Sequence, residues 1–92
     1  MIDRHLGSGF FPSVTWDGAT VWCAWQDGST LVTATFDLAL QPIREMRWPL
    51  APDALAFPAL TRTPLGEVLV VYRDGAPDYP ICLRYITRGQ VE

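Results

Sequence analysis

The 92-residue sequence contains no lysine, no asparagine and a single histidine, His5. One histidine and two distant cysteines, Cys23 and Cys82, give no zinc-ligand spacing. All seven cations are arginine, and the net charge of −3 leaves no basic footprint for a nucleic-acid binder. The missing lysine and asparagine are read as coding bias before chemistry. Long apolar runs are also missing: the longest, from Val68 to Tyr72, is far short of the roughly 20 residues that span a bilayer as helix. Met1 to Leu6 has no apolar core of the kind a signal peptide needs. The expected location is therefore cytoplasmic, or outside the cell without a cleaved leader, with no membrane insertion. Gly7-Ser8-Gly9 opens no helix-forming run, so no phosphate loop is present, and no nucleophile elbow accompanies His5. No cofactor and no metal are expected.

What is abundant is apolar and aromatic surface. Four Trp, three Tyr and four Phe sit in a chain that is 49% apolar. A single domain of this length buries only about 60–65% of its unfolded surface, so part of that supply is expected between subunits. Both cysteines fall inside strand-like runs and are expected as small buried hydrophobes. A disulfide needs Cα atoms about 4.4–6.8 Å apart, and the sequence leaves that open.

The chain repeats itself. Phe11-Pro12-Ser13-Val14-Thr15 returns as Phe57-Pro58-Ala59-Leu60-Thr61, an offset of 46. Val21 to Gly28 returns as Val68 to Gly75, an offset of 47, and the run Val32 to Asp37 can be laid on Cys82 to Thr87. The last match needs a longer hairpin loop in the second copy, where Ala76 to Pro80 lies. Turns absorb such insertions and strands do not. Asp17-Gly18, Asp27-Gly28 and Asp74-Gly75 are dipeptides that favour tight hairpins.

Strands are expected near residues 12–17, 20–26, 31–37 and 43–48, then 57–62, 67–73 and 81–87. The central strand of each copy is apolar on both alternating faces, which suits a strand covered on two sides. Val21, Cys23, Trp25, Val68, Val70 and Tyr72 are expected to be largely buried. Pro42 disfavours helix over Leu38–Trp48, because an interior proline costs about 3 kcal/mol. Arg44, Glu45 and Arg47 supply the charge that protects an edge strand. The link from Leu50 to Ala56 has room for one helical turn after Asp53.

Phe-Pro-x-(Val/Leu)-Thr, a turn, then Val-x-x-x-(Trp/Tyr)-x-Asp-Gly resembles the blade repeat of sialidase-type β-propellers, over roughly residues 11–37 and 57–87. The Asp-box of that family, Ser-x-Asp-x-Gly-x-Thr-Trp, is absent. The resemblance therefore implies the scaffold rather than the enzyme: an all-β single domain over residues 1–92, with two four-stranded antiparallel blades. Blade one spans about 11–48 and blade two about 57–88. Residues 2–6 are expected as an outer strand exchanged into a neighbouring subunit. Two blades cannot close a ring of four to eight, so closure by homo-oligomerisation is expected, with a trimer favoured and a tetramer as the alternative. Small lectins built from two-blade chains have a similar architecture.

For chemistry, Asp27, Asp74 and Asp78 are the carboxylates to weigh for glycoside hydrolysis, but an Asp-Gly pair in a hairpin is ordinarily a turn. Arg62, Arg73 and Arg84 with Tyr72 or Tyr85 supply the residue types of a sialidase. They all fall in one repeat, whereas such a cluster is expected to be gathered from several blades. An enzyme is the least favoured reading. Trp16, Trp48 and Tyr79 have no repeat equivalents of their own type and lie near strand ends or loops. With Arg62 and Asp78 as polar neighbours they form the candidate ligand-binding set, since an aromatic ring can stack on a sugar while charged neighbours bind its hydroxyls. The leading expectation is a non-enzymatic, lectin-like glycan-binding module. The alternative is a structural subunit of a larger assembly such as a virion, contacting other assembly proteins.

Overall fold

A computed structural model describes residues 6–86. Among them there is no helix, and seven strands form two antiparallel sheets. Sheet one is the meander β1 (Phe10–Trp16), β2 (Val21–Asp27), β3 (Thr30–Phe36) and β4 (Pro42–Pro49). Sheet two is the meander β5 (Ala59–Arg62), β6 (Val68–Arg73) and β7 (Ile81–Tyr85). All seven fall within two residues of their expected bounds. Residues 2–5 of the expected exchanged strand, and residues 87 and 88 of the second repeat, lie outside the described residues. Leu6 is described and is not in a strand.

Three turns follow from local chemistry. Asp27 pairs with Thr30, so β2 and β3 are joined by Gly28-Ser29 alone, and Gly28 takes φ +60°, which glycine reaches without steric cost. The Asp17 turn is built differently. The Asp17 carboxylate accepts from the amides of Ala19 (2.9 Å) and Thr20 (2.7 Å), from the Thr20 hydroxyl (2.7 Å) and from Trp22 Nε1 (2.8 Å). Asp37 closes the β3–β4 connection by accepting from Ala39 and Gln41. Asp74-Gly75 departs from expectation: it opens a loop over residues 74–80 rather than a tight hairpin. Gly75 is needed there for space, because a Cβ would collide with the Asp53 carboxylate and the Ala51 methyl.

Register assigns the faces. In sheet one, Trp22, Ala24, Gln26 and Leu31 share the face turned towards sheet two. In sheet two, Val68, Val70 and Tyr72 face back. With Ala56 and Ile86 these form the buried core between the sheets. On the other side of sheet one, Trp25, Val32, Ala34 and Phe36 make a second cluster. Val21 and Cys23 belong to that outer side and are only half-buried, contrary to expectation; among the described residues the segment around Leu6–Phe10 lies against part of that side. The outer side of sheet two is barer still, with Ile81 72% and Leu83 69% exposed. Sheet one is thus buried on its inner side and over part of its outer side, and sheet two on its inner side, among the described residues.

The link between the sheets contains no helical turn. Residues 54–58 are irregular, with Ala54, Ala56 and Pro58 buried and Leu55 and Phe57 exposed. Gln26, itself 3% exposed, holds this segment: its Nε2 donates to Ala54 O (2.6 Å) and Gly28 O (2.9 Å), and its Oε1 accepts from Ala56 N (2.7 Å). β4 lies at the sheet edge, its Arg47 bonded to Glu45 (2.7 Å) and close to Asp27 (3.4 Å). Cys23 and Cys82 are both free thiols.

Replacing Gln26 by Leu keeps the volume but orphans Ala54 O and Ala56 N in the interior. Each unsatisfied buried group costs about 1–3 kcal/mol, so urea unfolding of Gln26→Leu is expected to show a loss of roughly 3 kcal/mol. Trp25→Ala should cost about 3–5 kcal/mol in the same measurement, since the indole is 8% exposed.

Candidate functional site

The five candidate ligand-binding residues do not converge. β1 and β5 run the same way, so Trp16 and Arg62 come to one end of the sheets, beside the turns at 17–20 and 63–67. Trp48 near the end of β4, and Asp78 and Tyr79 in the 74–80 loop, come to the opposite end. Trp16 is 54% exposed at the strand end, and Arg62 Nη1 lies 3.8 Å from where a Cβ on Gly18 would be. Trp48 is half-buried against the core between the sheets, with the Arg84 guanidinium 5.0 Å above its ring. Its other surroundings are apolar.

The richest aromatic grouping lies at the end that carries Tyr79. Phe10 and Phe11 have ring centroids 5.9 Å apart, and Phe11 and Phe57 are 4.0 Å apart and tilted by 44°. The Arg73 guanidinium stands 5.7 Å from the Phe57 ring and 5.6 Å from the Tyr79 ring, so it bridges the two. Tyr79 is fixed further by its hydroxyl, which donates to Asp53 Oδ2 at 3.2 Å. The other oxygen of Asp53 accepts from Ala76 N at 3.0 Å, which ties the loop to the link. Phe10, Phe57 and Tyr79 stay 60%, 53% and 47% exposed, so three of the four rings keep an open surface.

Phe10, Phe11, Phe57, Arg73 and Asp53 were not among the expected site residues. The sequence did carry a signal for two of them. Phe11-Pro12 and Phe57-Pro58 are repeat equivalents, and both phenylalanines adopt positive φ, +59° and +44°. A bulky residue in that region costs of order 1–3 kcal/mol, so the surrounding structure must impose it at both places.

The residue types of a glycosidase are dispersed. Arg62, Tyr72 and Arg84 share the inner face of sheet two, whereas Arg73 and Tyr85 belong to the outer one. Tyr72 is buried, and burial raises its phenol pKa while Arg84 opposes. Asp27 sits beside Arg47, and Asp74 caps the amides of Ala51 and Gly75. Among the described residues no three His, Cys, Asp or Glu side chains gather as a metal would require, and no helix is long and apolar enough to cross a membrane.

No family model matches this chain, and neither does any curated protein or solved structure.

Two carboxylates make folding sensitive to acid. Partial burial would raise the pKa of Asp17, but the hydrogen bonds from Thr20, Trp22 and Ala19 outweigh it and hold it well below the usual carboxylate range. The amides of Ala51 and Gly75 lower that of Asp74. A group whose folded pKa is depressed contributes stability above its unfolded value, near 4, and that contribution fades as pH falls through the folded value. Asp17→Asn should therefore be less stable than the native chain at pH 7. The gap should narrow progressively below about pH 4 when denaturant midpoints are compared across pH.

Proposed function

We propose that this chain is a non-enzymatic, lectin-like binding module. Its two sheets serve as blades of a β-propeller closed by copies of the chain, and carbohydrate is its ligand class. The observation that carries the reading is the Tyr79 site. One ring is held in a fixed orientation by Asp53 and Arg73 and half of it is left open, with Phe57 across the guanidinium and Asp78 next in the loop. A pre-positioned aromatic surface with polar groups at its margin is what a sugar ring needs. The apolar side of the sugar stacks, its hydroxyls bond the carboxylates, and little side-chain entropy is lost on binding. In a closed ring each site would be repeated around the axis, and weak single contacts would sum through avidity.

A second reading is favoured by a specific observation. Large apolar side chains stand exposed on the outer sides of both sheets, Val14 and Trp16 on one and Ile81 and Leu83 on the other. Monomers rarely leave such surfaces open, and they suit a subunit whose role is assembly itself. Three copies, giving six blades, are favoured over four.

Two measurements separate these readings. Glycan-array binding of the purified chain should be lost by tenfold or more in Tyr79→Ala and largely kept in Tyr79→Phe, because the ring rather than the hydroxyl makes the stack; tenfold corresponds to about 1.4 kcal/mol. Light scattering should give a trimer at micromolar concentration. Assembly without any glycan signal would favour the structural subunit, and a stable monomer would remove the ring.

A further inference from the structure

The two outer faces are related to each other by the repeat. Gln26 pairs with Phe10 in the first copy, and Arg73 N donates to Ala56 O in the second, so positions 26 and 73 correspond, as do 10 and 56. In that register Trp22, Ala24 and Gln26 match Leu69, Val71 and Arg73, while Val21, Cys23 and Trp25 match Val68, Val70 and Tyr72. The first set lies inside in sheet one and outside in sheet two. The second set does the reverse. The sheets therefore stack front to back, leaving the front of sheet two open and, on the back of sheet one, Val14 and Trp16 exposed beside the buried Trp25, Val32, Ala34 and Phe36. A front-to-back contact is heterologous and is repeated by adding further copies.

We infer that the front of sheet two in one copy receives the back of sheet one in the next, in the register of the contact already present within the chain. The occupant is a second copy of this chain, because only a repeat of the same faces reproduces an interface the protein has already built. This rests on the assembly part of the function proposed above and specifies its geometry. Three features of the open faces fit it. Sheet one carries on its back a groove of about 440 Å³ lined by Leu6, Phe10, Val14, Cys23 and Trp25. The front of sheet two presents Leu83 and Ile81 as exposed apolar groups to fill it. Arg73 occupies the position of Gln26, so a donor side chain stands at the same place on the front of sheet two.

The register names the new contacts. Within the chain, Ser13 Oγ accepts from Leu60 N at 3.0 Å, and Gln26 Nε2 donates to Ala54 O. The repeat offset, 46 in the first strand and the segment before it and 47 in the second strand, turns these into Ala59 against Val14 of the next copy, and the Arg73 guanidinium donating to the carbonyl of Ser8. Arginine has no acceptor, so only the donating half of the Gln26 arrangement is carried over.

The experiment is disulfide trapping combined with sedimentation. With Cys23 and Cys82 replaced by Ser, because Cys23 lies directly opposite Val14 and would compete for the bond, the double variant Ala59→Cys, Val14→Cys should yield covalent oligomers on a non-reducing gel after mild oxidation, and neither single variant should. Both positions are exposed on opposite sides of one chain, so a bond between them joins different copies. Arg73→Leu should shift the assembly midpoint by about tenfold or more, as for loss of a charged hydrogen bond, while Arg73→Gln should assemble as the native chain does. Oligomers without cross-linking would overturn this register and leave ring assembly standing. A monomer at all concentrations would overturn both. Unchanged assembly of Arg73→Leu would overturn the part assigned to Arg73.

Discussion

The constraint on which the structure depends is that its central strands are apolar on both sides. A sheet built on such strands needs cover twice, and a chain with two sheets can provide it once. The contact between the sheets satisfies Trp22, Ala24 and Leu31 on one side and Val68, Val70 and Tyr72 on the other. It leaves Trp25 under a thin cover of residues from the N-terminal segment, and it leaves Leu83 and Ile81 in the open.

Polar groups fix what apolar contact leaves free. Hydrophobic stacking is non-directional and would allow the sheets to slide. Gln26 prevents sliding by binding both a carbonyl and an amide of the link, and Ser13 adds a bond to Leu60. Asp17, Asp37 and Asp74 shape the strand connections through backbone amides, and Asp53 anchors the 74–80 loop. Of these carboxylates only Asp53 also holds an aromatic ring of the candidate site. The site is thus an outgrowth of the devices that join the two repeats: the link supplies Asp53 and Phe57, and the longer loop of the second copy supplies Tyr79.

All seven strands were legible in the sequence, because Asp-Gly turns, prolines and β-rich runs are local signals that tertiary context had no reason to override. Trp25 and Tyr72, expected from their matching positions to pack, are both buried, but in different clusters: Tyr72 between the sheets and Trp25 on the outer side of sheet one. Local signals failed where spacing mattered in three dimensions. Asp74-Gly75 has the composition of a tight hairpin, yet Gly75 is there to let the link pass close by. Val21 and Cys23 have the pattern of buried residues, yet they stay half-buried on the outer side of sheet one.

The candidate site divides along the same line. That Trp16, Trp48 and Tyr79 lie near strand ends is a matter of counting residues along strands. That they fall at opposite ends, and that Trp48 is packed against the core, depends on strand direction and on which face each residue takes once the sheets stack. The file of Phe10, Phe11, Phe57, Arg73 and Tyr79 joins residues up to 69 positions apart in the chain. Sequence by itself determined the strands, the turns and the twofold repetition, since these rest on backbone preferences and alternation within a few residues. Only the tertiary structure decided which faces meet and which rings gather, because front-to-back stacking brings together residues that no local rule relates.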